Sequence, residues 1–409
     1  MSYSDDYELL RSLYNQKNDP IRLPSNNFEI INLKFHSQDL SEFPDRNVAS
    51  NECLKDVFLK KLSENPSASS KLVEIFEIPD NSIEENNSFT YPIFKELSAE
   101  RSKDVIILLH GLNEKSWDKY LPWAKRLLEL TGKSIILFPI SFHMNRAPLF
   151  WSHPRIMNVV SSLRTQLYPS NECSSFVNAS ISTRLHLKPL RFLWSGLKTV
   201  YDMMRLLQEI KTGKHPYLEK NARIDFFGFS IGAFLSEILL MWNPYGMLDE
   251  SKLFMFCGGP TFDRMSPVSR FIMDSEANRA VHAYYVNDFE TEIQTDSRLV
   301  RFFERPDNPG TVFRSMLNYE RLKPLRESKL KGICNRTTSL SLSKDSVMTP
   351  KNVSDTLTGD NHDIPVTAVT ADFPYEYDHV NPFPILEKIE NEVNEAFEYV
   401  FQYASGYLS

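Results

Sequence analysis

Gly228-Phe229-Ser230-Ile231-Gly232 joins a run that reads as a strand, Arg223–Phe227, to one that reads as an apolar helix, Ile231–Trp242. A strand that turns straight into a helix forces the corner residue into strained backbone geometry. Small residues two positions to either side keep that corner free of clashes. The corner side chain then stands alone above the sheet, at the positive end of a helix. That is the placement a serine nucleophile needs. The glycines gain weight from their scarcity: only 13 of 409 residues are glycine, less than half the usual share of about 7%. Five of them (Gly111, Gly228, Gly232, Gly258 and Gly259) lie at or near the ends of strand-like runs.

Other runs repeat the alternation of strand and helix. Asp104–Leu109 reads as a strand buried on both faces, ending at His110-Gly111-Leu112-Asn113. A helix follows, with Ser116 as N-cap, Trp117, Tyr120, Leu121, Ala124, Leu127 and Leu128 on one face, and Gly132 at its end. Lys133–Ile140, Lys252–Cys257, Thr337–Ser343 and Ile364–Thr370 are further strands. Leu193, Leu197, Val200, Tyr201, Met204 and Leu207 mark a helix, as do Pro350–Leu357 and Ile385–Tyr403. Such alternation demands a mostly parallel, twisted α/β sheet flanked by helices. Residues 260–330 carry no clear β run and read as a helical cap insertion.

The first 70 residues read as an N-terminal extension, ahead of a main domain over 71–409. Within it, Phe28, Ile30, Ile31, Leu33 and Phe35 suggest a strand with an irregular step; Leu54, Val57, Phe58 and Leu62 suggest a helix; residues 63–70 have linker composition. Lys71–Ile78 and Ser88–Lys95 read as an antiparallel pair.

The elbow at Ser230 and the strand ending in His110-Gly111 together resemble the α/β-hydrolase superfamily, over about residues 71–409 apart from the cap. The resemblance implies an oxyanion hole formed by the backbone N–H groups of Leu112 and Ile231, each worth about 3–4 kcal/mol to a developing oxyanion. It also implies that His110 supports the loop. The expected order is Ser…Asp/Glu…His. Asp345, just past Thr337–Ser343, is the expected acid, with Asp263 after Lys252–Cys257 as the rival. His379 lies beyond the last strand and is the expected base; His362 precedes that strand and falls at the wrong end of a parallel sheet. Ser230 would attack, His379 would take and return the proton, and Asp345 would fix the imidazole.

These residues imply a serine hydrolase that needs no cofactor or metal and cleaves a small-molecule carboxylic ester or thioester through an acyl-enzyme. A peptidase or an acyltransferase would use the same triad. A binding or scaffold protein on a hydrolase fold is the alternative outside enzymes.

Composition removes other classes. Lys+Arg is 46 against 53 Asp+Glu, a net charge of −7 with no basic block, so nucleic acid is not an expected partner. The start is polar and acidic, unlike a secretory leader, and no apolar run approaches the roughly 18 residues of a membrane span. Cys53, Cys173, Cys257 and Cys334 are far apart, which speaks against a disulfide framework or zinc site and for the cytoplasm. His143 and His153 lack nearby carboxylates at ligand spacing.

Weaker features have bland expectations. Arg146 would meet a substrate carboxylate, or His143 a leaving group; the bland alternative is a loop held by local salt bridges. Phe150, Trp151, Phe271, Tyr284, Tyr285, Phe302 and Phe303 would line an acyl pocket or pack the cap. Asp288, Glu290, Glu292 and Asp296 read as a solvated face.

Overall fold

A computed structural model describes residues 2–16, 20–37, 56–58, 60–61, 64, 78–305 and 308–409. Its centre is a nine-stranded sheet: β1 Ile21–Leu23, β2 Phe28–His36, β3 Ser88–Glu96, β4 Ser102–Leu109, β5 Ser134–Phe138, β6 Leu218–Phe229, β7 Leu253–Phe256, β8 Thr337–Leu342 and β9 Thr367–Ala371. The spatial order is β1-β2-β3-β5-β4-β6-β7-β8-β9. β1, β2, β3 and β5 pair antiparallel in turn, and every pairing from β5 to β9 is parallel. With the strand–Ser230–helix corner described below, this is the α/β-hydrolase fold.

Burial explains the apolar runs. In β4, Val105, Ile107 and Leu109 face one core and Ile106 and Leu108 the other, and all five are fully or almost fully buried. Helices Arg191–Lys211 and Ile231–Trp242 pack on the first face through Leu193, Leu197, Val200 and Ile238. Helices Tyr3–Leu13, Tyr120–Thr131 and Glu390–Leu408 cover the second through Leu10, Trp123, Leu127, Val400 and Phe401. A parallel sheet covered on both faces needs such continuous apolar strands.

The N-terminal residues join this sheet. β2 pairs with β3 through nine consecutive residues in unbroken register. The irregular step expected there is a change of face: Phe28 and Ile30 enter one core, Ile31 and Phe35 the other. The strand expected at 71–78 and the linker at 63–70 lie almost wholly outside the described residues, as does Cys53; of the helix expected at 54–62, residues 56–58 and 60–61 are described and helical.

Helix Tyr120–Thr131 starts later than Ser116. Tyr120 and Leu121 N–H both donate to the Trp117 carbonyl, so Trp117 sits in a preceding turn, edge-on to His110. Gly132 ends the helix at φ 67°, a left-handed position. The stretch between β5 and β6 holds helices Pro154–Leu167 and Ala179–Leu187 before Arg191–Lys211. Between β7 and β8 the regular elements are helices, beginning with Ser275–Ala283 and ending with Lys323–Ile333 and a short turn. The acidic run there is bonded inward: Glu290 to Arg314, Glu292 to the Tyr284 hydroxyl, and Asp296 caps Ser297–Phe303, while Asp288 is exposed.

Candidate active site

Ser230 follows β6 with φ 57° and ψ −122°, a backbone conformation that L-residues with side chains rarely adopt. Two glycines permit it. A Cβ on Gly228 would lie 2.4 Å from Ala233 Cα, and one on Gly232 would lie 2.2 Å from the Leu109 carbonyl oxygen. Neither neighbour is a flexible side chain, so the corner closes only with hydrogen at both positions.

The other expected residues arrive at the same sheet end, where the parallel strands present their carboxyl termini. Leu112 comes three residues after β4, Asp345 three after β8, and His379 eight after β9. His379 Nε2 lies 2.6 Å from Ser230 Oγ, and Nδ1 lies 2.7 Å from Asp345 Oδ2. Asp345 Oδ1 accepts from the Val347 and Met348 N–H groups at 2.8 and 2.9 Å. All three side chains are buried. With the carboxylate accepting from Nδ1–H, Nε2 is left to accept from the serine hydroxyl.

The His379 loop is pinned from several sides. The Tyr377 hydroxyl donates to Asp372 Oδ1 at 2.7 Å and accepts from the Lys344 N–H at 3.2 Å, tying this loop to the one carrying Asp345. The Tyr375 hydroxyl donates to the Pro382 carbonyl at 3.0 Å, and Phe229 stacks on the imidazole with centroids 5.6 Å apart. Cys257 lies beside Asp345; burial first, and then that carboxylate, push its thiol well up.

The loop after β4 is equally fixed. The Gly111 N–H donates to the Tyr120 hydroxyl at 2.9 Å, and that hydroxyl donates to Glu114 Oε1 at 2.9 Å. His110 Nε2 accepts from the Ile140 N–H at 2.9 Å, so Nδ1 is the donor to the Gly111 carbonyl. Burial holds this imidazole well below its ordinary pKa, which leaves it a neutral brace. Among the described residues, no acceptor partners the N–H of Leu112 or of Ile231. Both are free to meet an oxyanion.

The rivals lie elsewhere. Asp263 accepts the Tyr319 N–H at 3.1 and 3.0 Å, and exposed His362 bonds Thr358. Arg146 is fully buried against Asp202 at 2.7 Å and holds its loop. Tyr284, Tyr285 and Phe303 are core residues, Phe271 is half exposed, and Trp151 lines a pocket with His143. Among the described residues, no cluster of three His, Cys, Asp or Glu is arranged to hold a metal ion, and no helix is long and apolar enough to cross a membrane. The sequence marks Tyr120 only as part of an apolar helix face and gives Tyr377 and Glu114 no signal beyond nearness to the two motifs.

A family model described as "Family of unknown function (DUF6051)" matches residues 1–409. The chain belongs to that family. No curated protein matches this DUF6051 chain. Solved structures similar to it include a cold-adapted esterase from an Arctic intertidal metagenomic library, at 8% identity and TM-score 0.40, covering 97% of this chain and 100% of that one. Carboxyl esterase 2 of the mycorrhizal fungus Tuber melanosporum is 12% identical with TM-score 0.43, covering 89% and 100%. Prolyl oligopeptidase B of Galerina marginata is 10% identical with TM-score 0.42, covering 95% of this chain and 38% of that one. Identities this low bear on the fold alone.

Proposed function

We propose that this DUF6051 chain is a serine hydrolase that cleaves a carboxylic ester or thioester through an acyl-enzyme. The observation that carries the reading is the hydrogen-bonded line from Ser230 Oγ through His379 to Asp345, set at a strained strand–helix corner beside two unpartnered N–H groups. Such a line with no reaction to perform would leave the strain at Ser230 unexplained.

The steps follow from the geometry. Ser230 Oγ attacks the acyl carbon while its proton passes to His379 Nε2. The carbonyl oxygen becomes an anion and accepts from the Leu112 and Ile231 N–H groups. His379, now a cation held by Asp345, returns the proton to the leaving oxygen or sulfur, and the carbon–leaving-group bond breaks. Water, deprotonated by the same imidazole, attacks the acyl carbon; the carbon–Oγ bond breaks, His379 returns the proton to Ser230 Oγ, and the acid leaves.

A serine-reactive fluorophosphonate tests the reading. The wild type should label and Ser230→Ala should not. Equal labelling of both, or none of the wild type, would remove it.

A further inference from the structure

A narrow pocket with about 500 Å³ of empty space, mouth included, runs from the candidate oxyanion residue Leu112 between the loop after β5 and helix Ala179–Leu187. Its wall holds an unusual set of buried polar atoms. Arg184 Nη1, Trp151 Nε1, Ser180 Oγ, His143 Nε2 and Asn113 Oδ1 each lack a hydrogen-bond partner, and all five residues are more than nine-tenths buried. Buried polar groups are rarely left unpaired, because each one costs about 1–3 kcal/mol. Three of the five, Arg184 Nη1, Trp151 Nε1 and Ser180 Oγ, are donors, and three unpaired donors in residues around one pocket point to a ligand that accepts from them.

Charge says what kind. Lys115 also lines the pocket and has no ion pair among the described residues, since its neighbour Glu114 is bonded to Lys119 and Tyr120. Arg184 shares Asp80 with Arg191, whose Nε donates to both carboxylate oxygens. One carboxylate thus faces two guanidiniums and the Lys188 ammonium at 3.9 Å, and Lys115 lines the same pocket. Burial pushes Lys115 down to about 8; burial, then the neighbouring Arg191 charge, pushes Arg184 down to about 9. An anion in the pocket would relieve both. His143 Nδ1 lies 2.9 Å from the Ser141 carbonyl oxygen, which can only accept, so Nδ1 carries the proton and Nε2 is an acceptor. Arg184, Trp151, Ser180 and Lys115 supply donors.

Position says which half of the substrate enters. The leaving group must reach His379 to collect its proton. Among the described residues, neither Ser230 nor His379 lines this pocket or the adjoining one, and the oxyanion candidates Leu112 and Ile231, which would hold the acyl carbonyl, line the adjoining one together. We propose that the pocket receives a carboxylate at the far end of the acyl chain, so that the preferred substrate is an ester or thioester of a short dicarboxylic acid. This rests on the hydrolase reading above.

Two measurements separate them. In thermal shift, adipate should raise the melting temperature more than dimethyl adipate or inorganic phosphate does, and the shift should vanish in Lys115→Gln. In turnover, an aryl hemiadipate should exceed aryl heptanoate in kcat/KM by about tenfold or more, with the ratio falling toward one in Lys115→Gln. Equal rates for the two esters with Ser230 still labelled would overturn the carboxylate pocket and leave the hydrolase reading intact. An equal shift with phosphate would overturn carboxylate selectivity. Without labelling, the hydrolase reading falls, and a Lys115-dependent adipate shift alone still supports the anion site; no such shift overturns it.

Discussion

Asp345 has both oxygens committed, Oδ2 to His379 Nδ1 and Oδ1 to two backbone N–H groups. An amide in its place keeps the shape but faces an N–H₂ toward the ring, favouring the tautomer whose Nε2 carries the proton and cannot accept one. Asp345→Asn is therefore expected to lower kcat by about 10⁴-fold, measured on any ester the wild type turns over. Asp263→Asn should stay within a few-fold of wild type, because Asp263 faces the Tyr319 N–H; the reverse result would move the acid. The sequence favours Asp345 but leaves Asp263 as a rival, since both follow strands. What separates them is the direction each loop turns, which no local pattern encodes. Ser230 and His379 were easier: one sits in a sterically required motif, the other beyond the last strand. Arg184 was invisible, because its helix has apolar residues on no single face and its partners lie far away in the chain.

Helix Ile231–Trp242 matches its sequence limits because both ends are fixed by backbone: the Ser230 corner at one and Asn243 at φ 47° at the other. The helix at Tyr120 has Lys119 as its N-cap with no side-chain capping bond, so the sequence carries no capping signal at its true start and Ser116 stands out instead. The apolar signal that located the first helix also hid Glu237, which is fully buried with both oxygens unpartnered. Burial pushes its carboxyl well above 4.5, against the weaker pull of Arg326. The folded chain thus holds a proton that the unfolded chain releases above that pH, so stability is full below about 4.5 and falls as pH rises toward the folded value. Glu237→Gln removes this fall. Its melting temperature should exceed the wild type's by several degrees near pH 8 and by little near pH 4; a pH-independent difference would show that Glu237 is ionised in the folded state.

At the scale of the molecule, the parallel pairing of β4 to β9 follows from the alternation of strand and helix, whereas their order and the antiparallel edge do not. β2 and β3 pair across an interval of more than fifty residues, and nothing in either strand names its partner. The same property governs the site. Ser230 and His379 meet across 149 residues, and Asp345 and His379 across 34. Closing such intervals costs chain entropy that short-range helices never face. On dilution from denaturant, helical circular dichroism is therefore expected to recover well before fluorophosphonate reactivity at Ser230, and simultaneous recovery would refute this ordering. Reactivity in this chain is then a late event in its own assembly, and a partly folded molecule carries a harmless serine.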